Sequence, residues 1–341
     1  MNGRPTIKDV AKLAGVSHMT VSRVLRENPK GKAATMEKVY SACKALNYRQ
    51  NLVASQLRHV DLKSRIIAVV LPLLTHSYFT NILKYFEEEC SKYNFHVIIH
   101  QSGINKDVSL TWNDLDFLLS RHIDGLVIFG MLPREITDRL KAEKIPMVFI
   151  DSKSDDPELA FIGTKNYEGE KEITEYLIRL GHRKIAFIAG SKGHYTSDRR
   201  LSGYMAALKG NKLTPQIIHA EDMGIGDGFL AMNALLERGL TFTAVAAAND
   251  YLAMGVISSC AARKVRIPED LSVTGFAGVE ESAFSVPPLT TMVHQVKETG
   301  VLAFQMISGE MERSSNLNHR EFLFPVSMMV RDSCAPPLKS E

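Results

Sequence analysis

The chain has 341 residues, 45% of them hydrophobic, which is enough to bury the cores of two or three globular domains. Its net charge of +3 is unevenly spread, because residues 1–65 hold 13 Lys and Arg against four acidic residues while the remainder holds 28 against 34. With neither a secretion signal nor an apolar run approaching ~18 residues, we expect a cytoplasmic protein without membrane contact. The basic start indicates a nucleic-acid-binding module, the alternative being a merely solvated basic surface.

Two short amphipathic segments at the start of the chain predict a helix-turn-helix. Thr6, with Asp9 three residues later, is typical of a helix N-cap, Gly15 ends this first helix, and Ser17 can cap the second. The two apolar faces that would pack together are Ile7, Val10, Ala11 and Ala14, and Val21, Val24 and Leu25. A third helix from Thr35 would close the core with Met36, Val39, Cys43 and Leu46, and Tyr48 would pack at its end.

The second helix also carries a polar and basic face. His18 lies at its exposed start, and Met19, Ser22, Arg23 and Arg26 follow at helical spacing. In such a motif this helix lies in the major groove, where Arg pairs with guanine and apolar groups contact the thymine methyl. We therefore expect His18, Met19 and Arg23 to read bases, the alternative for each residue alone being an ordinary surface position.

The stretches TIKDVAKLAGVSHMTVSRVL and EKVYSACKALNY resemble the headpiece of the lactose/galactose repressor family. The resemblance implies a transcription regulator, either repressor or activator at a given promoter, that binds a double-stranded DNA operator. Because one headpiece reads few bases and twofold proteins prefer twofold sites, we expect a homodimer on a palindromic operator. The headpiece residues expected to contact DNA are Thr6, Ser17, His18, Met19, Ser22 and Arg23.

Family members follow the headpiece with a short hinge helix, and NLVASQL at 51–57 matches that segment. The match implies DNA contacts by Asn51 and Ala54 and a minor-groove wedge at Leu57. An apolar Leu57 before a polar run would otherwise be exposed to water, and Asn51 can cap a brief helix. Gln50 stands where the family usually has Pro, so the start of this hinge is less rigid.

From Ile66 onward, short apolar runs alternate with amphipathic segments, which is typical of buried parallel strands. The runs are IIAVVL, FHVIIH, GLVIF, PMVFI, LAFI, KIAFIA, TAVAAA and LSVTGF, with helices predicted at 81–93 and 169–180. The expected fold is an all-α helix-turn-helix headpiece plus a two-lobed, doubly wound α/β core like that of periplasmic binding proteins. The domains are 1–50 (headpiece), 51–65 (hinge and linker), 66–162 plus 293–323 (first lobe) and 163–292 plus 324–341 (second lobe), the return crossings following from the resemblance.

Ligands of open α/β sheets bind at the carboxyl ends of the strands, here in the cleft between the lobes. Asp151 follows PMVFI, Asn249 and Asp250 follow TAVAAA, Ala277 follows LSVTGF, and His294 follows the strand TTM. Asp250 has an alternative role as a helix cap, and His294 has one as a structural hydrogen-bonding residue.

The family resemblance continues through RLSGYMAAL, ANDYLAMG and PPLTTM, so it covers nearly the whole chain. It implies that a small-molecule effector is contacted by Arg200, Asn249 and Asp151, beside an aromatic wall of Tyr78 and Phe79. The chemistry agrees, since Arg offers a fork for carboxylate or hydroxyl oxygens and carboxylates accept hydrogen bonds from hydroxyls.

The loop at Ala277 bears on the class of effector. Sugar-responsive relatives usually carry Asp there, whereas GFAG is similar to gluconate-type and idonate-type regulators, as are MTVSR, VLPLLTHSYF and IDSKS. Loss of a carboxylate reduces repulsion of an anionic ligand, which favours a sugar acid. The alternative is that Ala277 only reshapes a pocket for a neutral sugar, because Asp151 and Asp250 still carry negative charge.

Other functional classes find little support. The four cysteines are far apart, the chain contains no HExxH, GxxxxGK[ST] or GxSxG motif, and so we expect no metal, no cofactor and no enzymatic activity. An exported solute-binding protein would have no use for a basic headpiece. The alternative among regulators is a core that responds mainly to a phosphorylated protein corepressor.

Overall fold

The structure, a computed structural model, describes residues 5–25, 32–48, 64–72, 74–101, 110–238, 241–312 and 320–338. The chain divides into two compact units, Met1–Ser64 and Arg65–Glu341. The predicted hinge residues Asn51, Ala54 and Leu57 lie outside the described ranges. Within those ranges, no helix is both long and apolar enough to cross a membrane.

The small unit holds three helices, α1 (Ile7–Ala14), α2 (His18–Val24) and α3 (Ala33–Ala45). Thr6 donates its backbone and hydroxyl hydrogens to the Asp9 carboxylate, both at 2.7 Å, and Gly15 ends α1 in the left-handed conformation. The predicted three-helix core is confirmed, with Val10, Val21 and Val39 fully buried at its centre. Helix α3 begins two residues before the predicted Thr35.

Two six-stranded sheets form the large unit. The first sheet consists of β1 (Ile66–Leu71), β2 (His96–Gln101), β3 (Gly125–Ile128), β4 (Met147–Ile150), β5 (Ala160–Thr164) and β11 (Glu321–Phe324), in the order β11-β5-β4-β3-β1-β2. The second consists of β6 (Ile185–Ala189), β7 (Gln216–His219), β8 (Ala244–Ala247), β9 (Ser272–Ala277), β10 (Thr290–Val293) and β12 (Ser327–Met329), in the order β12-β10-β9-β8-β6-β7. All described pairings are parallel except that of β10 with β12.

Helices cover both faces of each sheet, which suits the apolar inner strands such as β1 and β4, whereas the edge strands β2 and β11 also carry exposed polar residues. Alternate residues of β1 belong to different cores, Ile67 and Val69 facing one layer and Ala68 and Val70 the other. The helices are α4 (Ser77–Lys92), α5 (Trp112–Ser120), α6 (Arg134–Ala142), α7 (Asn166–Arg179), α8 (Tyr195–Gly210), α9 (Ile225–Glu237), α10 (Asp250–Ala262) and α11 (Val296–Glu312), with a 3₁₀ turn at Glu280–Ala283.

All eight predicted apolar runs are strands, so the doubly wound prediction is confirmed. The helices predicted to start at Asn81 and Gly169 begin earlier, at Ser77 and Asn166. Strand β11 pairs with β5 of the first sheet, whereas β12 returns to the second. The chain therefore crosses between the two sheets after Thr164, after Val293 and after Phe324.

Candidate functional site

Helix α2 of the small unit presents the predicted reading face to solvent. His18, Met19 and Arg23 are exposed, Met19 with 64% of its surface accessible, and Ser22 is half-buried. Val21 and Val24 on the opposite face are buried, so the helix is held by its apolar side and free on the other.

Thr6 and Ser17 have local roles at the starts of the two helices. The Ser17 hydroxyl accepts a hydrogen bond from the backbone nitrogen of Thr20 at 3.1 Å, and Thr6 is held by Asp9. Both residues are nevertheless exposed, so their hydroxyls also remain accessible at helix N-termini, where phosphate groups bind favourably.

In the large unit, Arg200 of α8 is only 4% exposed, and its contacts come from α7, from the end of β8 and from the crossover after β10. Its Nε donates to Asn166 Oδ1 at 2.7 Å, Nη1 donates to the carbonyl oxygen of Ala248 at 2.5 Å, and Nη2 donates to His294 Nε2 at 3.3 Å. The guanidinium carbon lies 4.0 Å from the centre of the Phe276 ring. None of these three acceptors is a carboxylate. Burial lowers the pKa of Arg200, and the charges of Asp151, Glu170 and Asp250 oppose this shift.

His294 links the two lobes at the point where the chain leaves β10. Because Arg200 can only donate, His294 Nε2 must accept, and the proton lies on Nδ1, which faces the Thr164 hydroxyl oxygen at 2.9 Å. Burial, and secondarily the Arg200 charge, holds the pKa of His294 well below its usual range. The imidazole is therefore neutral, and it makes structural hydrogen bonds, which is the alternative role considered for His294.

Tyr78 and Phe79, in the first turn of α4, form a continuous aromatic wall. The Tyr78 hydroxyl donates to Asp151 Oδ2, and its ring lies 4.8 Å from that of His294. Phe79 contacts the Phe129 ring edge-on at 5.7 Å. Burial raises the pKa of Asp151, although the Tyr78 hydroxyl and the Arg200 charge oppose this shift. Asp151 directly follows β4 in the left-handed conformation, with φ of 55°, which turns the chain at the edge of the cleft.

Asn249 and Asp250 are engaged by the protein itself. Asn249 is the N-cap of α10, accepting from the Leu252 nitrogen at 2.8 Å and donating to the Met223 carbonyl at 2.9 Å. Asp250 is completely buried, where its carboxylate accepts from Thr291 Oγ1 at 2.5 Å and from the Val279 nitrogen at 2.9 Å. The cap of α10 is thus made by Asn249, and Asp250 holds the loop after β9.

Ala277 ends β9 with φ of 143°, a backbone conformation that residues other than glycine rarely adopt. Its carbonyl accepts from the His294 nitrogen at 3.1 Å, which ties this loop to the crossover after β10. The structure therefore places the Ala277 backbone next to the cleft residues without giving its methyl group a polar contact.

Several residues of the site were missed from the sequence. Thr164 and Asn166 stand at the carboxyl end of β5, the same signal that identified Asp151, and Phe276 belongs to a recognised strand. Glu170 of α7 gave no signal at all. It is 1% exposed, its Oε1 accepts from Thr174 at 3.1 Å, its Oε2 has no partner among the described residues, and burial raises its pKa to about 8.

Comparison with known proteins gives matches over nearly the full length. Residues 6–51 match the family model described as bacterial regulatory proteins, lacI family, and residues 64–324 match that of periplasmic binding proteins and the sugar-binding domain of the LacI family. The chain is 32% identical over 336 residues to the HTH-type transcriptional repressor PurR of Pasteurella multocida, covering 96% of this chain and 99% of that protein.

A second relative is the probable HTH-type transcriptional repressor ExuR of Bacillus subtilis, 31% identical over 344 residues with 96% of this chain and 98% of that protein covered. Among solved structures, the chain is similar to the lac repressor dimer bound to operator and the anti-inducer ONPF. That match has a TM-score of 0.84 at 27% identity and covers 98% of this chain and 100% of the other.

Proposed function

The chain belongs to the lacI family of bacterial regulatory proteins, and from this premise we propose that it is a repressor whose core binds a small anionic polyol, a sugar acid. It is a DNA-binding transcription regulator and not an enzyme. It acts in the cytoplasm as a homodimer on a palindromic operator, with α2 in the major groove. Effector binding in the cleft shifts the core between two states and so changes operator affinity.

The observation that carries the effector class is the charge balance around Arg200. An Arg side chain stays protonated, yet all three acceptors that hold it are uncharged. Burying a cation is costly, and Asp151, Glu170 and Asp250 act on Arg200 without a described hydrogen bond to it, so an anion that pairs directly with the guanidinium relieves part of that cost. A carboxylate is the group that matches the remaining N–H donors of the guanidinium fork.

The surrounding groups favour the same choice. The Asp151 carboxylate is already bound by the Tyr78 hydroxyl, and the Asp250 carboxylate is turned away into the protein. Burial raises the pKa of both carboxyls, which reduces the negative charge that an anionic ligand would meet. Tyr78 and Phe79 offer an apolar surface for the carbon skeleton of the ligand.

Titration calorimetry with aldonates, ketoaldonates, their neutral parent sugars and purines tests this proposal. We expect one of the sugar acids to bind, and Arg200→Gln to weaken it by about 10- to 100-fold, as for loss of a charge-assisted hydrogen bond. Arg199→Gln is the matched control, since Arg199 is the exposed neighbour on the same helix. Both variants should keep wild-type affinity for an operator selected from random duplexes.

Three results would contradict the effector assignment. They are tighter binding of a neutral sugar, tighter binding of a purine, and an operator response that requires a phosphorylated protein and no small molecule. Failure of either variant to bind DNA would show instead that the substitution disturbs the fold, and Arg200→Lys, which keeps the charge, would then replace it.

A further inference from the structure

The start of helix α4 lacks a cap of its own. Its N-cap residue, His76, makes no capping hydrogen bond with its side chain, although the first backbone N–H groups of any helix have no partner within that helix. The Ser77 nitrogen instead donates to the Tyr251 hydroxyl at 2.8 Å. Tyr251 belongs to α10 in the other lobe, so the cap comes from across the cleft.

The same contact is extended by a carboxylate. Ser77 Oγ donates to Glu281 Oε2 at 2.7 Å, and the Tyr251 hydroxyl donates to Glu281 Oε1 at 3.3 Å. Glu281, in the 3₁₀ turn after β9, thus places a negative charge at the N-terminus of α4, where the helix dipole favours it. The His76 ring covers Tyr251 from the first lobe, with ring centres 4.2 Å apart and planes 20° apart.

This clasp, made of His76, Ser77, Tyr251 and Glu281, is directly connected to the effector site. The two residues after Ser77 are Tyr78 and Phe79, which form the aromatic wall, so all three share one helical turn. A displacement of Ser77 must therefore move the wall against its partners Asp151 and Phe129.

We propose that Tyr251 and Glu281 are positioning residues, which cap α4 from the opposite lobe and so hold the lobes together with the aromatic wall in place. The inference rests on the proposed function only in naming that wall as part of an effector site. Tyr251 is 8% exposed whereas Glu281 is exposed, so water and salt screen the carboxylate more and the hydroxyl contributes the larger part.

Hydrogen exchange of the ligand-free full chain, followed by mass spectrometry, tests the clasp without any knowledge of the effector. We compare Tyr251→Phe, which keeps the stacked ring, and Glu281→Gln with the control Glu280→Gln, which changes the exposed neighbouring carboxylate. Tyr251→Phe should accelerate exchange by about 10-fold in the first turn of α4 and also at the cleft segment 164–166. Glu281→Gln should give a smaller effect that disappears in high salt, and Glu280→Gln none.

The extent of the change decides the outcome. Faster exchange on both sides of the cleft, with unchanged exchange in the distant strand β7, supports the clasp. Faster exchange confined to α4 would reduce Tyr251 to a local cap and overturn the proposal, as would wild-type exchange in both variants. Faster exchange throughout the chain would indicate partial unfolding of the lobes themselves. It would also overturn the proposal, because the clasp acts only between the lobes. Failure of the sugar-acid titration would leave these results unaffected.

Discussion

At the scale of single residues, buried polar side chains near the ends of the strands differ in the chemical type of the partners that hold them. Asn249 and Asp250 are adjacent polar residues after the same strand, and their side chains are hydrogen-bonded to backbone groups and to Thr291. Arg200, by contrast, is held only by neutral acceptors. Residue type and position along a strand do not distinguish these cases, because the difference lies in what the neighbouring elements supply.

Backbone strain at Ala277 leads to a stability prediction. Because φ of 143° suits glycine, Ala277→Gly should stabilise the protein by about 0.5–2 kcal/mol, the strain released being larger than the added chain entropy. Ala261→Gly, on the exposed face of α10, should instead destabilise it by about 0.5–1 kcal/mol. Urea unfolding of both variants measures the two values, and equal signs would contradict the strain at Ala277.

Buried Glu170 leads to a prediction about pH. Burial raises the pKa of its carboxyl from 4.5 to about 8, so its favourable contribution is complete below 4.5 and is lost as the pH rises through about 8. Glu170→Gln cannot ionise and should gain stability over the wild type with rising pH, reaching about 1–3 kcal/mol at a pH above 8. Thermal melts from pH 5 to 9 should show no such divergence for the exposed control Glu172→Gln.

At the scale of elements, α9 and α10 pack backbone against backbone. A Cβ atom on Gly255 would lie 2.6 Å from the Phe229 nitrogen, so the helices would have to separate. We therefore expect Gly255→Ala to destabilise the protein by about 1–3 kcal/mol. Gly226→Ala, which meets open space on α9, should be neutral or stabilise it by up to about 1 kcal/mol. Denaturant titrations in which both variants behaved alike would rule out the close approach.

The second element is helix α2, whose exposed face is predicted to read bases. Met19 is exposed and takes no part in the headpiece core, so Met19→Ala should leave the melting temperature within ~2 °C of the wild type. Base preference should nevertheless change, by about 1 kcal/mol or more at the contacted position, if the methionine contacts a thymine methyl. Selection from random duplexes measures this, and an unchanged consensus would remove Met19 from the reading face.

At the scale of the whole molecule, the headpiece and the core carry net charges of opposite sign. Residues 1–65 carry the excess of Lys and Arg, whereas the remainder has more acidic than basic residues. We expect operator affinity to fall by roughly 10³-fold or more between about 50 and 200 mM salt, because counterions are released from DNA. Effector affinity should change far less, since Arg200 is buried. Parallel titrations at both salt concentrations compare the two, and equal salt dependence would contradict this division.

The sequence alone determined the parts of the molecule that depend on local pattern. Helical spacing of Ile7, Val10, Ala11 and Ala14 specified one face of the headpiece core, because an apolar stripe at that period is buried against other helices. Continuous apolar runs such as IIAVVL specified strands covered on both faces. The position of Asp151 directly after such a run placed it at the carboxyl edge of the first sheet.

Tertiary structure alone decided which polar residues remain available and which elements meet. The contacts of Arg200 come from α7, from the end of β8 and from the crossover after β10, which are separated by 34, 48 and 94 residues in the chain. Tyr251, which caps α4, lies 174 residues from Ser77 in the chain, and the sequence around His76 does not predict this contact. A hydrogen bond depends on distance and direction between two atoms, and for residues this far apart only the packing of the lobes fixes both.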